Sequence, residues 1–258
     1  MAKNRFTQTA RLAQIRQELL KAEEVSITKL ASKFNVSRMT ACRDLDMLES
    51  MGEIVRTHGG GASAKKLTFE FAFRDRQNKN DKQKDLIAQR AIEHVKDGDV
   101  IVLDTGTTTL QIARKLIGKR KITIITTSLA IISEIQFDKD IEAVLLGGFL
   151  RAGLPDVHGP LTERDMDFFR PDIAFMGADA IDENGSTYTV DLRIVNLDRK
   201  MAGNSKKTIV VADSSKFGKT AMCKVFDGKD YNLIITDSEL DKKVVKYFAK
   251  QNIEIETA

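Results

Sequence analysis

VIVLDTGTTTL, residues 100–110, reads as a strand, a turn and the start of a helix. Val100 to Leu103 form an apolar, β-branched run of the kind that fills a buried strand. Asp104 stops the run and Thr105-Gly106 turns the chain. Thr107, Thr108 and Thr109 then lead into a helical pattern of Leu110, Ile112, Ala113 and Leu116. The unbonded N–H groups of a helix N-terminus form an anion site, and threonine hydroxyls add donors. Gly106 lets a ligand approach the backbone.

The same alternation runs outward from that stretch. A helix over Leu86, Ile87, Ala91, Ile92 and Val95 precedes it. Strands are expected at 122–125, 141–146, 173–176, 209–212 and 233–236. Helices are expected at 129–136, 161–169, 192–203 and 241–251, with a short tail strand at 253–255. Strands alternating with helices imply an α/β, Rossmann-like domain over 81–258, built on a mostly parallel sheet covered on both faces. In such sheets ligands bind outside the carboxyl ends of the strands. Those ends carry Asp104, Gly106, Thr107 and Thr108; then Thr126, Thr127 and Ser128; then Gly147 and Gly148; then Gly177, Asp179 and Asp182; then Asp213, Ser214, Ser215 and Lys216. Glycines and hydroxyls suit phosphate oxygens, Asp104 suits sugar hydroxyls, and Lys216 supplies a countercharge. Any one of these residues is explained by turn chemistry; five strand ends in agreement favour a site.

The first quarter differs in charge. Residues 1–66 hold 12 Lys and Arg against 7 Asp and Glu, whereas the other 192 hold 29 against 30. A basic module on a near-neutral body suggests nucleic acid as the module's partner. Its pattern is helical at 9–22, through Leu12, Ile15, Leu19 and Leu20. A second helix follows Ser26, through Ile27, Leu30, Ala31 and Phe34. A third follows Ser37, with Ala41, Leu45 and Leu48 inward, and ends near Met51-Gly52. Two short helices joined by a tight turn form a helix-turn-helix, whose second helix enters the major groove. The residues expected on DNA are Ser37, Arg38, Met39, Thr40 and Arg43. The strand-like Glu53 to Arg56 and the glycine-rich 57–62 add a wing, with Arg56 and His58 facing phosphate or the minor groove. This small α+β winged helix-turn-helix domain spans 1–62. Residues 63–80 read as a linker, where Phe69, Phe71 and Phe73 alternate and Arg74 and Arg76 have acids to pair with.

Several classes have no support. No apolar stretch reaches the ~18 residues of a membrane span, and the N-terminus has no apolar secretory core. Cys42 and Cys223 lie apart, and with three histidines no metal site is expected. There is no G-x-G-x-x-G after a strand, no G-x-x-x-x-G-K-[ST] and no G-x-S-x-G, so neither a nucleotide cofactor nor a hydrolase triad is expected. These features imply a cytoplasmic protein without a cofactor.

The run VSRMTACRDLDMLESMGEIVRTHGGGA resembles the N-terminal signature of the DeoR family of bacterial transcription regulators. Val36, Ser37, Thr40, Arg43, Asp44, Leu45, Leu48, Gly52, Arg56, His58, Gly59 and Gly60 match its pattern, while Cys42 stands where an arginine is usual. DTGTT (104–108), TTS (126–128), GG (147–148), GADAID (177–182) and DSSKFG (213–218) resemble the family's effector domain. There Thr127 replaces an asparagine and Asp198 a lysine. The resemblance implies a ribose-5-phosphate-isomerase-like fold, a phosphorylated-sugar effector, and a homodimer or homotetramer on operator DNA. A repressor of a carbohydrate-catabolism operon is expected, its effector held by Asp104, Gly106, Thr107, Thr108, Thr127, Ser128, Gly147, Gly148, Gly177, Asp179 and Lys216. Two alternatives stand beside it. One is a constitutive regulator or activator with a vestigial pocket. The other is an aldose–ketose phosphate isomerase using Asp104, Asp179 or Asp182 with Lys216.

Overall fold

The computed structural model describes residues 7–21, 24–51, 53–57, 59–63, 73, 76–118, 121–151 and 154–258. Gly52, His58, Phe69, Phe71 and Arg74 lie outside them. The chain divides into two compact units, Met1–Arg74 and Asp75–Ala258.

The first unit contains helices α1 (Gln8–Lys21), α2 (Ile27–Phe34) and α3 (Arg38–Ser50). Strands β1 (Glu24–Ser26), β2 (Ile54–Thr57) and β3 (Gly60–Ser63) form an antiparallel sheet in the order β1-β3-β2. Leu12, Ile15, Leu19, Leu30, Phe34, Ala41, Leu45, Leu48 and Ile54 close its core. Burying each large side chain contributes ~1.5–3 kcal/mol. Asn35 ends α2 in the left-handed region at φ 52°, which asparagine tolerates better than other non-glycine residues. Ser37 caps α3 as expected, accepting from the Thr40 amide at 3.1 Å. Ser26 holds the equivalent place before α2 without a side-chain cap bond and is also the last residue of β1. The sequence reading contained no β1. Its pairing requires Gly60, where a Cβ would stand 1.8 Å from the Val25 carbonyl oxygen.

In the second unit the chain runs through α4 (Asp81–Ala91), β4 (Val100–Leu103), α5 (Thr107–Leu116), β5 (Ile122–Thr126), α6 (Leu129–Ile135) and β6 (Ile141–Leu145). It continues through β7 (Phe149–Leu150), β8 (Val157–His158), α7 (Pro160–Asp165), β9 (Ile173–Gly177), β10 (Ala180–Ile181) and β11 (Thr187–Thr189). It ends with α8 (Leu192–Asn204), β12 (Lys207–Val211), β13 (Cys223–Phe226), β14 (Leu233–Thr236), α9 (Lys242–Lys250) and β15 (Ile255–Thr257). Seven strands form one fully parallel sheet in the order β15-β14-β12-β9-β4-β5-β6. The central strands are buried on both faces, which is why they read as continuous apolar runs. At the edge, β6 is mostly exposed.

The sequence placed the large elements within a few residues. The tail strand shifts from 253–255 to Ile255–Thr257, because Asn252 turns the chain and Ile253 packs in the core. The helix expected at 161–169 ends at Asp165 and tightens into a 3₁₀ turn, Met166–Phe168. The small antiparallel pairings β7–β8 and β10–β11–β13 were absent from the sequence reading.

Candidate functional site

In the seven-stranded sheet the strand order reverses between β4 and β9. On one side of that line the chain steps to β5 and β6, and on the other to β12, β14 and β15. The two neighbouring loops leave the sheet in opposite directions, which opens a crevice at the strand ends. Asp104 follows β4, and Gly177 ends β9.

Asp104 is buried, and its Oδ2 accepts from the Gly177 amide at 3.0 Å, across the reversal. Its Oδ1 accepts from the Thr105 amide at 2.5 Å. Burial raises its pKa above the usual carboxylate range, and these two amides pull the other way. A Cβ on Gly177 would stand 3.0 Å from Asp104 Oδ2, a tight contact that glycine avoids at this close approach. Gly106 occupies the N-cap of α5 without a side-chain cap bond. Thr109 turns back onto the Asp104 and Gly106 carbonyls at 2.6 and 2.8 Å. Thr107 makes only a long 3.5 Å contact to the Arg76 carbonyl, and the Thr108 hydroxyl has no partner among the described residues. After β12, Lys216 lies half-buried in a 3₁₀ turn, its ammonium likewise without a partner among the described residues.

The remaining expected residues have visible structural engagements. Thr127 is buried, and its carbonyl accepts from Val157 N at 3.1 Å. Ser128 caps α6 through Ile131 N at 3.2 Å. The Gly147 carbonyl accepts from Thr162 Oγ1 at 2.7 Å, and a Cβ on Gly148 would meet that same hydroxyl at 2.1 Å. This glycine pair follows β6, at the edge of the sheet, two strands from β4. Asp179 accepts from Thr189 Oγ1 at 3.1 Å and Val190 N at 3.0 Å, and pairs with Arg76 at 3.2 Å. Asp182 takes the Tyr188 hydroxyl at 2.8 Å.

Several site residues were not anticipated from the sequence. Residues 76–80, within the stretch read as a linker, pack onto the α/β unit. Asn80 donates to Asp213 at 2.9 Å. Lys84 is 4% exposed and donates to the carbonyls of Arg76 and Lys79. Burial lowers its pKa. Arg151 is a second buried cation. Its Nε donates to Asp156 at 2.5 Å, a second nitrogen binds the other oxygen of Asp156, and a third reaches Asp191 at 2.9 Å. Burial opposes its charge, but Asp156 and Asp191 more than offset this and hold its pKa above the ordinary value. Asp198 on α8 is also buried; desolvation, followed by the fields of Asp104, Asp179 and Asp156, pushes its pKa well up. Among the described residues no group of three or more His, Cys, Asp or Glu is placed to hold a metal ion, and no helix is long and apolar enough to cross a membrane.

In the first unit, Ser37, Arg38, Met39 and Arg43 are exposed and Thr40 half-exposed at the start and outer face of α3. Neither arginine has a side-chain partner among the described residues. Met39 is 65% exposed, a large apolar surface with nothing of its own unit to cover it. Asp44, which belongs to the same motif, turns inward and takes both Nε and a terminal nitrogen of Arg11 at 2.7 and 3.0 Å. Arg56 reaches back to α3, to the Cys42 carbonyl and Sγ at 3.2 Å each and to Asp46 at 2.8 Å. His58 lies outside the described residues.

Comparison with known proteins agrees with this division. A DeoR-like helix-turn-helix domain matches residues 11–66, and the DeoR C terminal sensor domain matches residues 79–238. The chain is 33% identical to the transcriptional repressor AccR of Agrobacterium fabrum, over 86% of each chain. It is 29% identical to the glycerol-3-phosphate regulon repressor of Escherichia coli K12, over 93% of this chain and 95% of that one. Among solved structures, ribose 5-phosphate isomerase A from Methanocaldococcus jannaschii aligns with a TM-score of 0.41 at 25% identity, covering 54% of this chain and 55% of that one. The helix-turn-helix of the first unit and the sensor domain of the second together place this chain in the DeoR family of transcriptional regulators.

Proposed function

We propose that the protein represses a carbohydrate-catabolism operon in the bacterial cytoplasm and leaves its operator when a phosphorylated sugar binds the second unit. One observation carries the effector half of this reading. At the sheet's reversal point the N-terminus of α5 has no side-chain cap, and among the described residues neither the Thr108 hydroxyl there nor the Lys216 ammonium, at the end of β12 in the same sheet, has a partner. An uncapped helix N-terminus with an unused hydroxyl is suited to phosphate, and a lysine from another strand end of the sheet can supply the countercharge. Asp104, Gly106, Thr107, Thr108, Gly177, Asp179 and Lys216 form the ligand-facing set in this reading. Thr127, Ser128, Gly147 and Gly148 shape its far side. The name of the glycerol-3-phosphate regulon repressor supports a phosphorylated effector.

The operator half rests on Ser37, Arg38, Met39, Thr40 and Arg43 as the reading face of α3, with His58 on the wing. Arg56 contributes by bracing the wing against α3. A homodimer or homotetramer sets two such helices on half-sites ~34 Å, or a multiple, apart. Signal transfer starts at the segment 76–80, near the start of the second unit. Its Arg76 carbonyl touches Thr107 and Lys84, and its guanidinium pairs with Asp179. A ligand that pulls on Thr107 or Asp179 favours one arrangement of this turn, and only such a differential contact shifts the regulator's state.

A sugar phosphate held at 100 times its Kd stabilises the protein by ~2.7 kcal/mol. Thermal unfolding against a panel of sugar phosphates reads this directly. The double variant Thr107→Ala/Lys216→Ala is expected to lose that shift and to hold operator DNA in the presence of effector, with unchanged affinity for DNA alone. Release that survives in the double variant places the phosphate elsewhere. Conversion of an aldose phosphate to its ketose by the wild-type protein would replace this reading with an isomerase.

A further inference from the structure

Asp198 lies on the inward stripe of α8 with Val195, Leu197, Met201 and Ala202, and only 7% of it is exposed. Its carboxylate has no hydrogen-bond or ion-pair partner among the described residues. The helix α8 that carries it packs on β9, which ends at Gly177, and on β8; the charged groups that act on Asp198 are Asp104, Arg151, Asp179 and Asp156. None of these hydrogen-bonds it, and the field of Arg151 offsets its burial only in part. Arg151 is bound to both oxygens of Asp156 and to Asp191. Asp179 is taken by Arg76, Thr189 and Val190, and Asp104 by two backbone amides. Asp198 is therefore a buried acceptor with its capacity unused, at the edge of a site whose other end suits an anion.

We propose that Asp198 binds a protonated amine of the effector, so that the ligand is a phosphorylated amino sugar with its phosphate at the N-terminus of α5 and its ammonium on Asp198. This rests on the reading of the crevice as a phosphorylated-sugar site. A hydroxyl would give Asp198 one hydrogen bond but leave its charge uncompensated, and the incoming phosphate would add to the negative field. An ammonium supplies donors and the missing charge together. A buried carboxylate held by a charged donor is the arrangement that offsets its desolvation.

Calorimetric titration of the full chain separates the possibilities. The probes are glucosamine 6-phosphate and galactosamine 6-phosphate, their hydroxyl counterparts glucose 6-phosphate and galactose 6-phosphate, and inorganic phosphate, at a pH below the amine's pKa. The wild type is expected to bind an amino sugar phosphate about ten-fold or more tightly than its hydroxyl counterpart, as a charge-assisted hydrogen bond requires. Asp198→Asn is expected to bind the two alike. Equal or weaker binding of both amines by the wild type overturns the proposal, as does a preference that persists in Asp198→Asn. If sugar phosphates bind without regard to the amine, this proposal fails alone. If none binds, or Thr107→Ala/Lys216→Ala binds them normally, the crevice reading fails and this one with it. Folding is checked on the same variant. A carboxyl whose pKa is raised in the folded state costs nothing below its unfolded pKa and costs most above its folded pKa. Asp198→Asn is thus expected to melt no lower than wild type at neutral pH.

Discussion

Arg151→Met lowers the stability of the α/β unit by about 3–5 kcal/mol, because it leaves a buried carboxylate without its counterion. Arg151 and Asp156 are 5% and 3% exposed at their side chains, so water does not replace the lost partner. Asp156 has few alternatives: it sits on the segment that bridges to Ser128 and leads into β8. The change also removes a cation whose field lowers the pKa values of Asp104 and Asp198. Four carboxylates, Asp156, Asp191, Asp104 and Asp198, are thereby destabilised by one substitution. Arg151→Met/Asp156→Asn is expected to recover a large part of the loss, since removing both charges removes the uncompensated one. Scanning calorimetry of the larger unit's transition provides the measurement. A cost below ~1 kcal/mol would mean that the pair behaves as a solvated surface pair. The pH dependence has a fixed sign. Asp191 is held below the usual carboxylate range, first by the Arg193 side chain and then, against burial, by Arg151. Its contribution is present above its unfolded pKa, ~3.9, and is lost as pH falls from there. The gap between wild type and Arg151→Met therefore narrows in acid.

The residues of this cluster mark where sequence reading stops. Strands buried on both faces announce themselves, since Val100–Leu103 or Leu233–Thr236 leave no position for solvent. Their polar ends follow, which is why Asp104, Thr107, Gly177 and Lys216 could be placed at strand ends from the sequence. Arg151 was not, because it lies past β6 and reaches the crevice only through the return of β7 and β8, two residues each. Pairings that short have no periodicity to detect. Lys84 looks like its neighbours Lys82 and Gln83; what buries it is the turn 76–80, inside a stretch that composition alone assigns to a linker. Asp198 did leave a signal. With Val195, Met201 and Ala202 it falls at helical spacing on an otherwise apolar stripe. An acid on the buried stripe of a helix calls for a partner, and that question arises from the sequence without the family comparison.

Arg38→Ala and Arg43→Ala together are expected to abolish operator recognition at physiological salt while leaving the fold of the first unit intact. Both side chains are exposed on α3 and neither is engaged within the described residues, so truncation leaves no buried charge behind. Their separate roles are distinguishable. An arginine on phosphate lowers affinity for all sequences alike and reduces the slope of log K against log salt by ~0.9. An arginine paired with a guanine costs ~1–3 kcal/mol at its own base pair and relaxes preference there. Salt titrations on operator and scrambled DNA with each single variant assign one role or the other. Arg56→Ala serves as the contrast. That guanidinium is held by Cys42 and Asp46, so its loss loosens the wing against α3. It is expected to weaken binding with little change in salt slope, because no released counterion is tied to it. If Arg56→Ala instead lowers the slope as Arg38→Ala or Arg43→Ala does, Arg56 leaves α3 on binding and joins the phosphate contacts. The bond to Asp46 is then a resting-state clasp that DNA opens.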